Sequence, residues 1–216
     1  MKAKSKDYRL AAKPVEGLSC EALHWSLIEN IWDDYWAAFA RKNNSPQNVE
    51  LFLSELTAGQ RAAVAVRILD NKVRLHGWGD VVSNMVFHHE VFLAEVRLAY
   101  ELLNAGQFLA LLKRVLIEYK SRLSEIDPIE TEFKTISAKR KQFNVDANDT
   151  RFAEDSKRFW DLHDQKAKLM ESLMCDRQTW REQFLALADS PETKIESLVE
   201  RYVKTNAADF FVAQAS

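Results

Sequence analysis

The sequence predicts an all-α protein, a single compact multi-helix domain with about 8–10 helices and no significant sheet. Three observations predict it. Apolar residues recur at three- and four-residue steps along most of the 216-residue chain. Glycine and proline number only 5 and 4, too few for the turns of an all-β fold. No stretch alternates convincingly enough to read as a strand.

Residues 18–42 read as a first amphipathic helix. Trp25, Ile28, Trp32, Tyr35, Trp36 and Phe39 form one face, and Ser26, Glu29, Asn30, Asp33 and Asp34 form the other. Asn43-Asn44-Ser45-Pro46 ends it, and a short helix over 47–55 follows. Thr57 and Gln60 make a capping box, in which the hydroxyl accepts from the backbone three residues on and the amide reaches back. Such a cap stabilises by about 1 kcal/mol. From it a helix runs to about His76, burying Ala62, Val66, Leu69 and Val73.

At Gly77 the backbone needs a positive φ, which glycine adopts without steric cost, and Trp78 is expected to be buried where helices converge. Asp80 caps or opens a short helix through Phe87, and residues 89–104 and 107–122 read as two helices joined near Asn104-Ala105-Gly106. Asp127-Pro128 places proline at a first helical position and predicts a helix to about Phe143, followed by a polar loop from Asn144 to Thr150.

A long helix over 150–174 carries Phe152, Phe159, Leu162, Leu169 and Leu173 as a partial heptad stripe. Glu154 with Arg158 and Asp164 with Lys168 stand at supportive spacing on it. Asp176 predicts a new helix ending near Asp189. Ser190-Pro191 predicts the last one, with Ile195, Leu198, Val199 and Tyr202 inside.

Composition narrows the classes. At 47% apolar residues the chain can bury a sizeable core, and a net charge of −2 gives direct nucleic-acid binding no support. Cys20 and Cys175 stand far apart with no CxxC partner, which predicts two reduced, mostly buried thiols and a cytoplasmic setting. Residues 1–16 are rich in lysine and read as a flexible basic tail rather than a signal peptide. Residues 17–216 then form the helical domain, extended around 120–150. No apolar run is long enough to span a membrane.

Candidate chemistry is sparse. His88-His89-Glu90 is the one cluster of metal-type ligands, but neighbouring helical residues point about 100° apart and cannot easily share an ion. The spacing matches neither HExxH nor the Glu-x-x-His of di-iron bundles. Glu29, Asp33 and Asp34 read as solvated carboxylates opposite the Trp stripe, where ordinary pKa values make poor catalysts. Gly77-Trp78-Gly79 lacks the spacing of a phosphate loop. No Ser or Cys stands in a nucleophile signature. No catalytic residue, cofactor or metal ligand is therefore assigned.

Charge segregation is sharper. Residues 14–40 hold Glu16, Glu21, Glu29, Asp33 and Asp34 without a Lys or Arg, whereas residues 134–141 hold Lys134, Lys139, Arg140 and Lys141 without an acid. Either these are two solvated faces, or the acidic one docks on a basic partner.

The stretch Leu56-Thr57-Ala58-Gly59-Gln60-Arg61, then Leu69-Asp70-Asn71-Lys72-Val73, then Gly77, Trp78 and Asn84, resembles the pattern of a family of all-helical bacterial domains typified by a DNA mimic protein. Thr57, Gln60, Arg61, Asp70, Gly77, Trp78 and Asn84 carry the match. The chain departs from the pattern at Arg74-Leu75-His76 and at Asp80. Ile31 to Tyr35, Phe159 to Leu162 and Leu198 to Val203 echo the family's first and last helices. The resemblance implies an all-helical fold, a homodimer, and imitation of duplex DNA by surface carboxylates. B-DNA carries a charge every ~1.7 Å of axis, so a chain of net charge −2 must concentrate its acids on one face.

The leading reading is a non-catalytic, cytoplasmic protein-binding domain that presents Glu29, Asp33 and Asp34 to a basic or DNA-binding protein partner, without membrane or direct nucleic-acid contact. The other readings are an immunity-type neutralising protein and a metal-dependent helical enzyme using His88 and His89.

Overall fold

A computed structural model describes residues 8–11, 19–40, 45–82, 89–142 and 153–212. The expected all-α class is what it shows. The helices are α1 (Cys20–Ile28), α2 (Trp32–Ala40), α3 (Pro46–Ser54), α4 (Ala58–His76), α5 (Trp78–Val82), α6 (His89–Leu102), α7 (Gly106–Gln142), α8 (Ala153–Ala188) and α9 (Ile195–Thr205). Among the described residues the only sheet is a parallel ladder of two short strands, β1 (Leu10–Ala11) and β2 (Phe211–Val212), with Leu10 opposite Phe211. The chain divides into two compact units, Met1–Leu112 with Trp180–Ser216, and Lys113–Thr179, the divisions falling inside α7 and α8.

In the first unit α4 is the central helix. It packs against α1, α5, α6 and α9. Ala62, Ala63, Val64, Ala65, Val66, Ile68, Leu69 and Val73 are all buried, so apolar residues cover most of its circumference, the pattern of a helix enclosed by neighbours. Its start is the expected capping box: Gln60 N–H donates to Thr57 Oγ1 at 3.2 Å and Thr57 N–H donates to Gln60 Oε1 at 3.0 Å. Its end is Gly77 at φ 73°, ψ −178°, a backbone region essentially reserved for glycine. Arg181 donates from Nε to the Val73 carbonyl at 3.1 Å and from Nη2 to the Arg74 carbonyl at 2.6 Å, so the guanidinium caps the last turn of the helix. The Val73 carbonyl also accepts from Gly77 N–H at 3.0 Å. Trp78 is buried and meets Phe184 edge-on with ring centroids 5.9 Å apart.

The second unit is an antiparallel pairing of the remaining lengths of α7 and α8. Ile126, Ile136, Leu162 and Leu173 are buried in it, and Phe133 stacks on Phe159 at 4.5 Å. Ion pairs lace its sides: Arg122–Asp176 at 2.8 Å, Lys166–Glu130 at 3.2 Å, Arg158–Glu132 at 2.6 Å and Lys139–Asp155 at 2.5 Å. The pairing order fixes the antiparallel direction. The Arg158 and Lys166 partners hold Glu132 and Glu130 below the usual carboxylate range.

Several elements differ from expectation. The helix expected over 18–42 is two helices broken at residues 29–31, where Ile31 N–H turns back to the Ile28 carbonyl at 3.0 Å. Tyr8 to Ala11, expected in a flexible tail, is tied down: Tyr8 is buried and its carbonyl accepts from Asn30 Nδ2 at 2.7 Å. Asp127-Pro128 does not start a helix. Pro128 lies inside the 37-residue α7, because buried Ile126 and Ile136 anchor the helix on both sides of it. Asp176 starts nothing either, its carboxylate being taken by Arg122 while α8 runs through.

Arg158 turns to Glu132 across the pair rather than to Glu154. Helix α5 opens at Trp78, ahead of Asp80. The last helix opens at Ile195, after a turn in which Lys194 N–H bonds the Ser190 carbonyl at 2.8 Å. Cys175 is exposed and Cys20 half-buried, so the thiols are free but not the buried pair expected. The 144–150 loop, Phe152, Asn84 and His88 lie outside the described residues.

Candidate partner-binding surface

The acidic surface is built by the break between α1 and α2. Glu29 closes α1 by donating its N–H to the Trp25 carbonyl at 3.0 Å, Asn30 is held by Tyr8, and Asp33 and Asp34 occupy the first turn of α2. Carboxylates there complement the positive end of the helix dipole. Glu29, Asp33 and Asp34 are all exposed. Glu29 and Asp33 make no ion pair among the described residues. Asp34 Oδ2 accepts from the Tyr8 hydroxyl at 2.9 Å. Burial, then the Asp34 contact, pushes the Tyr8 hydroxyl far above its ordinary value, so it stays a donor. Periodicity could not identify Tyr8 as the organiser of this turn, since it lies 22 residues before Asn30.

Asp33 and Asp34 share the first turn of α2 and Glu29 lies at the end of α1, while two lysines of the basic stretch have carboxylate partners. Lys134 lies 3.8 Å from Glu130 and Lys139 lies 2.5 Å from Asp155, carboxylates outside the 134–141 window. The tryptophan stripe divides. Ile28, Tyr35 and Phe39 are buried, whereas Trp25 is 43% exposed and packs on the half-buried Trp32 at 5.5 Å. Breaking the helix between Trp25 and Trp32 turns the indoles away from the core that Tyr35 and Phe39 enter.

The motif residues are structural in their contacts. Thr57 Oγ1 donates to the Asp209 carbonyl at 2.6 Å, and Asp209 Oδ2 accepts from Gly59 N–H at 2.9 Å and from the Tyr202 hydroxyl at 2.7 Å. Burial, then that bond, pushes the Tyr202 hydroxyl up to about 12. A Cβ on Gly59 would stand 2.6 Å from that same carboxylate oxygen. Arg61 forms a two-pronged pair with Glu95, one bond at 2.8 Å from Nε to Oε2 and the other from Nη2 to Oε1. Asp70 is buried and accepts from Arg74 Nε at 2.8 Å. Desolvation raises its carboxyl, against the pull of Arg74 and Arg67. Arg74 continues to Asp189 at 2.8 Å, and Arg67 reaches Glu196 at 2.9 Å. Asp209, Glu95, Glu196 and Arg181 were invisible to sequence reading because their partners are far along the chain.

The His88-His89-Glu90 cluster lies mostly outside the described side chains, and Glu90 is exposed. Among the described residues no group of three or more His, Cys, Asp or Glu side chains could hold a metal ion. Among them, too, no helix is long and apolar enough to cross a membrane.

No curated protein and no solved structure matches the chain significantly. The family model described as DMP19-like protein matches residues 54–178. That span opens just before the capping box, includes Arg61, Asp70, Gly77 and Trp78, and covers more than half of the chain. With the all-helical fold and the capped, glycine-terminated α4 in place, the chain belongs to the DMP19-like protein family.

Proposed function

We propose that this protein is a non-catalytic, cytoplasmic binding protein that presents the acidic α1–α2 turn to a basic, DNA-binding protein partner. One observation carries the reading: Glu29 and Asp33 are exposed without a cation among the described residues, whereas Lys134 and Lys139 of the basic stretch pair with Glu130 and Asp155. Uncompensated carboxylates raise the local concentration of a cationic partner and speed its approach. Membership of a family whose resemblance implies DNA mimicry supports the same reading. A net charge of −2 favours one local acidic patch over a duplex-length ridge.

The test is capture of a partner from native lysate with wild-type protein and with Glu29→Lys/Asp33→Lys, circular dichroism checking that the variant keeps its fold. The Glu29 and Asp33 side chains make no hydrogen bond or ion pair among the described residues. The partner is expected to be basic, to be recovered by the wild type alone, and to bind at least about tenfold more weakly as salt rises from about 50 to about 300 mM. Equal recovery by both proteins, or binding indifferent to salt, overturns the proposal.

A further inference from the structure

Beside the acidic turn, α2 and α4 enclose an open groove of about 200 Å³ lined by Trp32, Trp36, Ile68 and Leu75, with Lys72 and His76 along the α4 side. Ile68 is buried and forms the floor, whereas Leu75 is 75% exposed at the edge. Lys72 Nζ stands 4.7 Å from the Trp36 ring centroid, a cation on an aromatic face. Trp25, packed on Trp32, extends the apolar surface past the groove. The fold does not need these indoles inside, since Ile28, Tyr35 and Phe39 already fill the core side of the same two helices. Large apolar side chains left together at a concave surface mark a docking site.

Charge says what docks there. Asp33 follows Trp32 directly and precedes Trp36 by three residues, so it stands on the flank beside the two indoles, about 100° round the helix from Trp32. Glu29 is at the turn leading into the same helix. The exposed carboxylates therefore stand on α2 and its leading turn, outside the groove lining, while the α4 side of the lining carries Lys72 and His76. A ligand that fills the groove and satisfies the open carboxylates has an apolar side chain with a cation within about one helical turn of it.

We infer that the groove seats the apolar seam of an amphipathic helix from a partner protein, with Lys or Arg residues on the helix flank that faces Glu29 and Asp33. The inference rests on the acidic-turn reading and adds to it an apolar anchor: carboxylates steer the encounter, and the Trp32–Trp36–Leu75 groove sets the lifetime of the complex.

The probe is a fluorescein-labelled helical peptide of about 16 residues with leucines at three- and four-residue steps and lysines on one flank. Two controls replace every leucine by serine or every lysine by glutamate. Anisotropy is expected to show the parent peptide binding wild-type protein at least about tenfold more tightly than either control. Leu75→Asp is expected to weaken binding by about tenfold or more, although it adds an attractive negative charge for a cationic peptide. Leu75 is exposed, so this variant keeps its fold, which circular dichroism checks.

No binding of the parent peptide, or Leu75→Asp binding as well as wild type, overturns the groove. Loss with Glu29→Lys/Asp33→Lys but not with Leu75→Asp leaves the acidic-turn reading standing and removes the groove. Loss with Leu75→Asp alone keeps the apolar seat and removes the carboxylates as recruiters.

Discussion

Gly59 and Gly77 lie at opposite ends of α4, and each excludes a side chain for a different reason. Gly59 is limited by space. A Cβ there would approach Asp209 Oδ2 at 2.6 Å, Tyr202 Cε1 at 2.8 Å and Asp209 Cβ at 2.9 Å, all parts of the lock on the helix start. Gly77 is limited by backbone: its φ is 73°, yet the nearest atom to a built Cβ is Arg181 Cδ at 3.6 Å. Gly59→Ala is therefore expected to cost about 1–3 kcal/mol through overpacking, and Gly77→Ala about the same through strain. A double-mutant cycle with Asp209→Ala separates them by denaturant titration. Removing the Asp209 carboxylate removes the shortest of the three Gly59 contacts and leaves those with Tyr202 Cε1 and the Cβ at position 209. The cost of Gly59→Ala therefore shrinks in part in that background while that of Gly77→Ala stays. Equal additivity at both positions would show that Gly59 is not held by the Asp209 contact.

At the scale of elements, what was legible is what is encoded locally. Helix α4 could be read to within a residue because its cap, its apolar repeat and its terminating glycine are neighbours in sequence. The break between α1 and α2 could not, since apolar periodicity runs through it and the chain that holds it, Tyr8 on Asn30 and Asp34, comes from outside the segment. For the same reason the exposure of Glu29 and Asp33 could be read from the polar face, but the exposure of Trp25 could not. Asp127-Pro128 and Asp176 carry real start signals that distant partners overrode. Pro128 is exposed within α7 and denies the Ser124 carbonyl its usual helical donor. Pro128→Ala restores that bond. Helix propensity favours Ala by about 3 kcal/mol, and loss of the unfolded-state restraint returns up to about 1 kcal/mol, leaving a net gain of about 2 kcal/mol. Thermal melts with the α-helical signal as readout measure it. A variant melting below wild type would mean that the pairing of α7 with α8 depends on the local geometry proline imposes.

At the scale of the whole molecule, the buried imidazole of His24 ties stability to pH. His24 is 1% exposed and donates from Nε2 to the Ala63 carbonyl at 2.8 Å. Desolvation lowers its pKa to about 4, with Arg67 adding to the shift while the Ala63 bond and Glu196 oppose it. The folded value lies below the unfolded one of about 6.5, so His24 contributes stability that is complete above about pH 6.5 and is lost as pH falls toward 4. Asp70 acts in the opposite sense, its raised carboxyl relieving strain as it protonates. Glu130, Glu132 and Glu200, held low by their partners, lose stabilisation as pH falls through the carboxylate range. Glu130, Glu132 and Glu200 are shifted down, away from neutrality, so His24 carries the loss of stability from about pH 6.5 to 5.5 among these groups, with Asp70 opposing it. Linkage puts the His24 contribution to the fall in unfolding free energy between about pH 7.5 and 5.5 at about 1–1.5 kcal/mol. His24→Leu keeps an apolar side chain against α4, and the Ala63 carbonyl retains its place in the helix ladder. Urea titrations at the two pH values are expected to show the fall in wild-type protein and its absence in His24→Leu. An identical fall in both proteins would transfer the pH dependence to groups other than His24.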